Sequence, residues 1–169
     1  MRRWRTAAAL TAGVAATALL TSCTPTPEPV VGVAVRDGKP LIVVVSCPDY
    51  SSGASVYRTD AVLTAASPDA YAQPTWEVRA TDPPAVAEVV MFEEPPAAWT
   101  VREETLSSLE PGAEYAITGH SGRPGIIVEF TLADLRRLGP GDVLVETTEG
   151  KRGITPRASF VSWAAKSCG

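Results

Sequence analysis

Leu106-Ser107-Ser108-Leu109-Glu110-Pro111-Gly112-Ala113-Glu114-Tyr115 is the stretch on which the fold of this 169-residue chain turns. Pro111 fixes φ near the value that a tight turn requires and Gly112 tolerates positive φ, so the pair reads as a chain reversal. Leu106 and Leu109 precede it. After it, Glu114 to Thr118 reads as a strand. A tyrosine whose ring is buried needs a hydrogen-bond partner for its hydroxyl.

Working outward, short β-branched or apolar runs recur on both sides. Strand candidates are Val30 to Val35, Leu41 to Ser46, Ala54 to Arg58, Thr75 to Ala80, Val86 to Phe92, Trp99 to Arg102, Glu114 to Thr118, Gly125 to Phe130, Asp142 to Thr147 and Ala158 to Trp163. Gly, Pro, Ser and Asp punctuate them, among others at Ser51-Ser52-Gly53, Asp82-Pro83-Pro84, Glu94-Pro95-Pro96 and Gly139-Pro140-Gly141. Many short strands with such turns predict an all-β antiparallel sandwich. Asp37-Gly38 is a hairpin signal, and Pro40 suits the start of the following strand, where its missing N–H does least harm. Leu41 to Val45 shows no polar alternation, as expected of a central strand buried on both faces. One short helix is predicted after Thr131: Asp134 completes a capping box, Leu132 and Leu135 repeat at i,i+3, and Gly139-Pro140 stops it. Thr59 to Gln73 is the longest stretch without a strand pattern, a surface loop and a candidate binding loop.

Leu106, Leu109, Pro111, Gly112 and Tyr115 together resemble the tyrosine corner of fibronectin type III domains. The resemblance covers ten residues, and further strands follow the corner. It implies an immunoglobulin-like (fibronectin type III-like) antiparallel β-sandwich. It also implies that the turn crosses between the sheets and that the Tyr115 hydroxyl bonds back to upstream backbone.

The amino terminus carries an address. Arg2, Arg3 and Arg5 form a basic n-region, and Thr6 to Leu20 follow as an uncharged run rich in Ala and Leu. That run is shorter than the roughly 20 residues needed to span hydrocarbon. Leu20-Thr21-Ser22-Cys23 resembles the lipobox of bacterial lipoproteins, which implies a diacylglyceryl group on Cys23 and cleavage before it. A plain secretory signal cleaved nearby is the alternative. Two acyl chains, at about 0.8 kcal/mol per buried CH₂, suffice for stable anchoring where one does not. Thr24-Pro25-Thr26-Pro27-Glu28-Pro29 then favours extended polyproline II and reads as a short tether. The resulting organisation is a signal peptide over residues 1–22, a lipidated cysteine and tether over 23–29, and a single domain over 30–169. The chain has no asparagine, and arginine outnumbers lysine twelve to three. With the lipobox, that usage resembles small actinobacterial envelope lipoproteins, held on the extracytoplasmic face of the cell membrane.

With Cys23 given to lipid, Cys47 and Cys168 remain as an even pair in an oxidising compartment, and a disulfide is expected. It would close a loop of about 120 residues, for which the chain-entropy model assigns between 4 and 5 kcal/mol. Two distant cysteines and one histidine supply no customary metal-ligand set, so no metal is expected, and no cofactor is implied. Removing residues 1–22 takes three of the 15 basic side chains and none of the 19 acidic ones, leaving 12 against 19 and a formal charge of −7. That balance argues against nucleic acid as a partner.

The candidates for chemistry are few. His120 is the only histidine, next to Ser121, but no G-x-S-x-G elbow occurs, and a solvated turn residue is the simpler reading. Glu93-Glu94 and Glu103-Glu104 are adjacent carboxylates whose side chains would point to opposite faces of a strand. Trp76 and Trp163 lie in apolar contexts and are expected in the core, whereas Trp99, flanked by Pro95-Pro96 and Thr100, is the tryptophan expected to be exposed. Trp99 and His120 are therefore the possible binding residues, and no catalytic residue is assigned. These features point first to a non-enzymatic, lipid-anchored module that presents loops to a protein or cell-wall partner. The alternatives are an envelope hydrolase using His120 or the carboxylate pairs, and a lipoprotein holding a small or lipidic molecule between its sheets.

Overall fold

Asp37 and Gly38 both take positive φ, 53° and 77°, and Arg36 faces Lys39 across them. This is the two-residue turn whose twist matches that of the strands it joins. It sets the register of the first hairpin in a computed structural model that describes residues 30–48, 50–59, 74–121, 124–147 and 149–168. The signal, Cys23, the tether, and residues 60–73 of the long connection lie outside the described residues.

Ten strands are described: β1 (Val31–Arg36), β2 (Lys39–Val45), β3 (Ser52–Arg58), β4 (Trp76–Ala80), β5 (Val86–Val90), β6 (Trp99–Glu104), β7 (Glu114–Ser121), β8 (Pro124–Thr131), β9 (Asp142–Glu146) and β10 (Arg152–Pro156). They form two antiparallel five-stranded sheets, ordered β10-β9-β1-β2-β5 and β6-β4-β3-β7-β8. The fold is an all-β sandwich. Val33, Ile42, Val44 and Val89 from the first sheet meet Val56, Trp76, Tyr115, Ile117 and Val128 from the second, all at 2% exposure or less. Each is worth on the order of 1.5–3 kcal/mol for leaving water.

Behind the first sheet lies a second apolar layer. Ala34, Leu41, Val43, Val45, Val143 and Val145 face away from the sandwich interior and pack with Phe160 and Ala164 of a helix over Arg157–Ser167. Strand β2 is thus buried on both faces, as its unbroken apolar run predicts: Ile42 and Val44 look inward while Leu41, Val43 and Val45 look toward the helix.

This helix corrects the expectation of a strand over Ala158 to Trp163. Phe160 and Ala164 stand one helical turn apart, and Pro156, at φ −58°, sits at the cap before the first turn. The strand in that region is β10, an exposed edge pairing only with β9 among the described residues, with no apolar alternation to announce it. In chain order the helices are α1 (Leu132–Leu135) and α2 (Arg157–Ser167). α1 carries the capping box read from sequence: the Thr131 hydroxyl accepts from Asp134 N at 3.2 Å, and the Asp134 carboxylate accepts from Thr131 N at 2.9 Å. Burial alone would raise the Asp134 pKa, but the Thr131 hydrogen bonds and the charges of Arg152 and Arg137 hold it below the ordinary value.

The sandwich has two distinct ends. At one, Val45 N donates to the Val30 carbonyl at 2.9 Å, Ser46 N donates to the Ala85 carbonyl at 2.9 Å, and Cys47 is bonded to Cys168 just beyond α2. At the other lie the Asp37-Gly38 turn and the Pro111-Gly112 turn.

Candidate functional site

The Pro111-Gly112 turn is built around Tyr115. Gly112 has φ +81°, Ala113 N donates to the Glu110 carbonyl at 3.3 Å, and Glu110 N donates to the Tyr115 hydroxyl at 2.8 Å. The ring is fully buried and stacks on Phe130 with centroids 5.8 Å apart. Leu106 and Leu109 pack partly buried against the same core. Outside the turn, Arg58 pairs with Glu110 at 2.6 Å. All five residues of the expected corner act in packing or in turn geometry.

His120 is not on a turn but near the end of β7, and three strands gather polar side chains around it on the outer face of the second sheet. Ser55 Oγ of β3 lies 3.1 Å from His120 Nε2 and donates to Glu77 Oε2 of β4 at 3.2 Å. Arg79 Nε donates to Glu77 Oε1 at 2.7 Å. Gly53 makes room for that arginine, since a Cβ there would sit 2.5 Å from Arg79 Cδ. Burial, followed by the Arg79 charge, pushes the His120 pKa below the ordinary histidine value, with Glu77 opposing. A serine beside an imidazole is the pairing that nucleophilic catalysis needs. Ser55, however, is 1% exposed, sits in mid-strand, and shares its hydroxyl between two partners. Ser121, the sequence neighbour of His120, turns to the opposite face, where its hydroxyl accepts from Cys47 N at 2.7 Å. Ser55, Glu77 and Arg79 were not anticipated from sequence, because only strand register brings them to His120.

Trp99 corrects another expectation. Its ring is 5% exposed and belongs to the inter-sheet core, so it offers no platform to a ligand. It pairs across β4 with Ala80, on the face that also carries Trp76 and Val78 inward. Trp76 is fully buried, edge-on to Phe92 at 5.8 Å, and Trp163 is half-buried, edge-on to Phe160 at 6.5 Å. Glu93 is paired with Lys39. Glu103 and Glu104 stand opposite Glu77 and Trp76, hence on alternate faces of β6.

At the disulfide end, the connections after β2 and β4 border an open groove of about 420 Å³. Ser46, Cys47, Tyr50, Thr81, Asp82 and Pro83 line it. The Ser46 hydroxyl is buried there with no partner among the described residues, and Tyr50 at the rim is 51% exposed. One wall is Cys47, held in place through its bond to Cys168 with Cα atoms 5.2 Å apart. Hydroxyls, the Asp82 carboxylate and an aromatic rim suit the groove to polar or amphipathic groups.

Among the described residues, no three His, Cys, Asp or Glu side chains gather as a metal site requires, and no helix is long and apolar enough to cross a membrane. No protein-family model, curated protein or solved structure matches this chain.

Proposed function

We propose that this protein is an extracytoplasmic, lipid-anchored binding or structural module. Residues 1–22 are a lipoprotein signal, Cys23 carries the lipid, residues 23–29 are the tether, and 30–169 form an immunoglobulin-like sandwich that presents loops to a protein or cell-wall partner. The observation that carries the reading is the filled interior. Trp76, Tyr115, Phe130, Met91 and Leu144 occupy the space between the sheets at 2% exposure or less, which is where a carrier would hold its cargo. Recognition is then left to the ends and edges. The buried Ser55 hydroxyl supports a structural rather than hydrolytic role for the His120 cluster. The Cys47–Cys168 bond supports an oxidising compartment. The strand order β1-β2-β5 facing β4-β3-β7-β8, with the corner leading into β7, supports the immunoglobulin-like reading, β6, β9 and β10 being additions at the edges.

The test is photo-crosslinking in intact cells, with a crosslinking amino acid placed at Tyr50 on one end or Ser108 on the other. A discrete protein or glycan adduct from at least one position is expected. Adducts from neither, with the protein folded and abundant, would overturn the reading.

A further inference from the structure

Val30 enters the sandwich at the disulfide end, where its carbonyl accepts from Val45 N at 2.9 Å. The tether from Cys23 to Pro29 has seven residues, three of them proline. At ~3.1 Å per residue it reaches roughly 20 Å. Strand β2, also seven residues, carries the sandwich roughly 23 Å away from that end at ~3.3 Å per residue. An anchor at Cys23 therefore keeps the disulfide end within one tether length of the lipid, and with that end down the Pro111-Gly112 end would stand about twice as far out.

We propose that the disulfide end is the membrane-facing surface of this protein, resting in the headgroup zone of its own bilayer through Tyr50 and Val86, and that the Pro111-Gly112 end faces outward to soluble partners. The proposal rests on the anchoring reading above and narrows it. Tyr50 is 51% and Val86 38% exposed, and Pro48 is exposed beside them. Tyrosine, apolar at its ring and polar at its tip, suits the boundary between hydrocarbon and water. Asp82, also at this end, opposes deeper insertion, so the contact stays among headgroups. A formal charge of −7 on residues 23–169 gives no attraction to anionic lipid, so the contact depends on the covalent anchor. The outward end is solvated and ionic, with Lys39 paired to Glu93 and Arg58 to Glu110.

The experiment uses the lipidated protein purified from membranes, in nanodiscs of phosphatidylethanolamine and phosphatidylglycerol doped with a gadolinium-chelating lipid. Paramagnetic loss of amide signal is read residue by residue. Tyr50, Ser51 and Val86 are expected to lose several-fold more intensity than Gly38, Ser108 and Gly112. Equal loss at both ends, or greater loss at the Pro111-Gly112 end, overturns the proposal. Tyr50→Ser should lessen the loss at Ser51 and Val86, and an unchanged pattern removes Tyr50 from the contact. If the disulfide end is protected only when membrane proteins are added, its partner is a protein and the lipid assignment fails. The mass of the amino-terminal peptide separates the two levels. A diacylated Cys23 with equal losses sinks the orientation alone, whereas an unmodified Cys23 sinks anchoring and orientation together.

Discussion

Ser55 Oγ and His120 Nε2 lie 3.1 Å apart although 65 residues separate them, joined across β3 and β7 on the outer face of one sheet. Glu77 and Arg79 of β4 complete the group, and burial with the Arg79 charge makes the native ring a weaker base than an unfolded histidine. The native state therefore binds fewer protons than the unfolded chain as pH falls through the ordinary value of 6.5, and stability drops over that window. Above it His120 contributes no pH dependence, and below its depressed native pKa the loss is complete. Chemical denaturation at several pH values should show this slope in the parent and a flatter profile in His120→Gln. An unchanged profile in the variant would show that His120 is not the titrating group.

The bond from Glu110 N to the Tyr115 hydroxyl ties the turn to the core. Tyr115→Phe keeps the ring and loses the acceptor, so it should cost about 1 kcal/mol in equilibrium unfolding, the usual net worth of such a bond. A stability equal to the parent's would mean that water replaces the hydroxyl without loss.

Cys168 fastens the end of α2 to the residue just past Ser46. Replacing both cysteines by serine should lower stability by about 2–5 kcal/mol, as for other native disulfides closing long loops. Amide exchange in α2 should accelerate more than exchange in β3 or β7. Phe160→Ala attacks the same layer from within and should cost about 3–5 kcal/mol. Uniform acceleration over both sheets in the serine variant would argue against a role centred on α2.

Thr131 and Asp134 satisfy each other's backbone donors at the start of α1. Thr131→Ala should cost about 0.5–2 kcal/mol, the range for a lost helix cap. Because the Asp134 pKa is depressed, its contribution is present above the unfolded carboxylate value and disappears as pH falls through the native one. Asp134→Ala should accordingly reduce the parent's acid sensitivity in that range, and an identical acid midpoint would count against the capping box as its source.

Cys23→Ala removes the only thiol that the lipobox reading assigns to lipid. The variant should accumulate as uncleaved precursor and take up no labelled fatty acid. Labelling unchanged from the parent would refute the anchor.

Much of the sandwich was legible because its code is local. The Pro111-Gly112 turn, the Asp37-Gly38 turn, the capping box at Thr131, and the unbroken run from Leu41 to Val45 each specify their own geometry within a few residues. Ala158 to Trp163 misled because Phe160 and Trp163 are at home in strands, and the signal that decides for helix is Phe160 and Ala164 packing on a sheet assembled from distant segments. Trp99 misled in the other direction: nearby prolines suggested a loop, whereas pairing with Ala80 turns its ring inward. The candidate sites were the least legible part. Ser55, Glu77, Arg79 and His120 come from three strands, and the groove beside Cys47 from the connections after β2 and β4, so neither leaves a motif in the chain.

The two-faced burial of β2 has a consequence for how the molecule comes apart. If α2 peels away, Leu41, Val43 and Val45 meet water on one side while Ile42 and Val44 remain packed on the other, and the same backbone must serve both layers. α2 can therefore open locally ahead of the sandwich, and β2, still packed on its inner face when its helical cover is lost, yields its amides to solvent later.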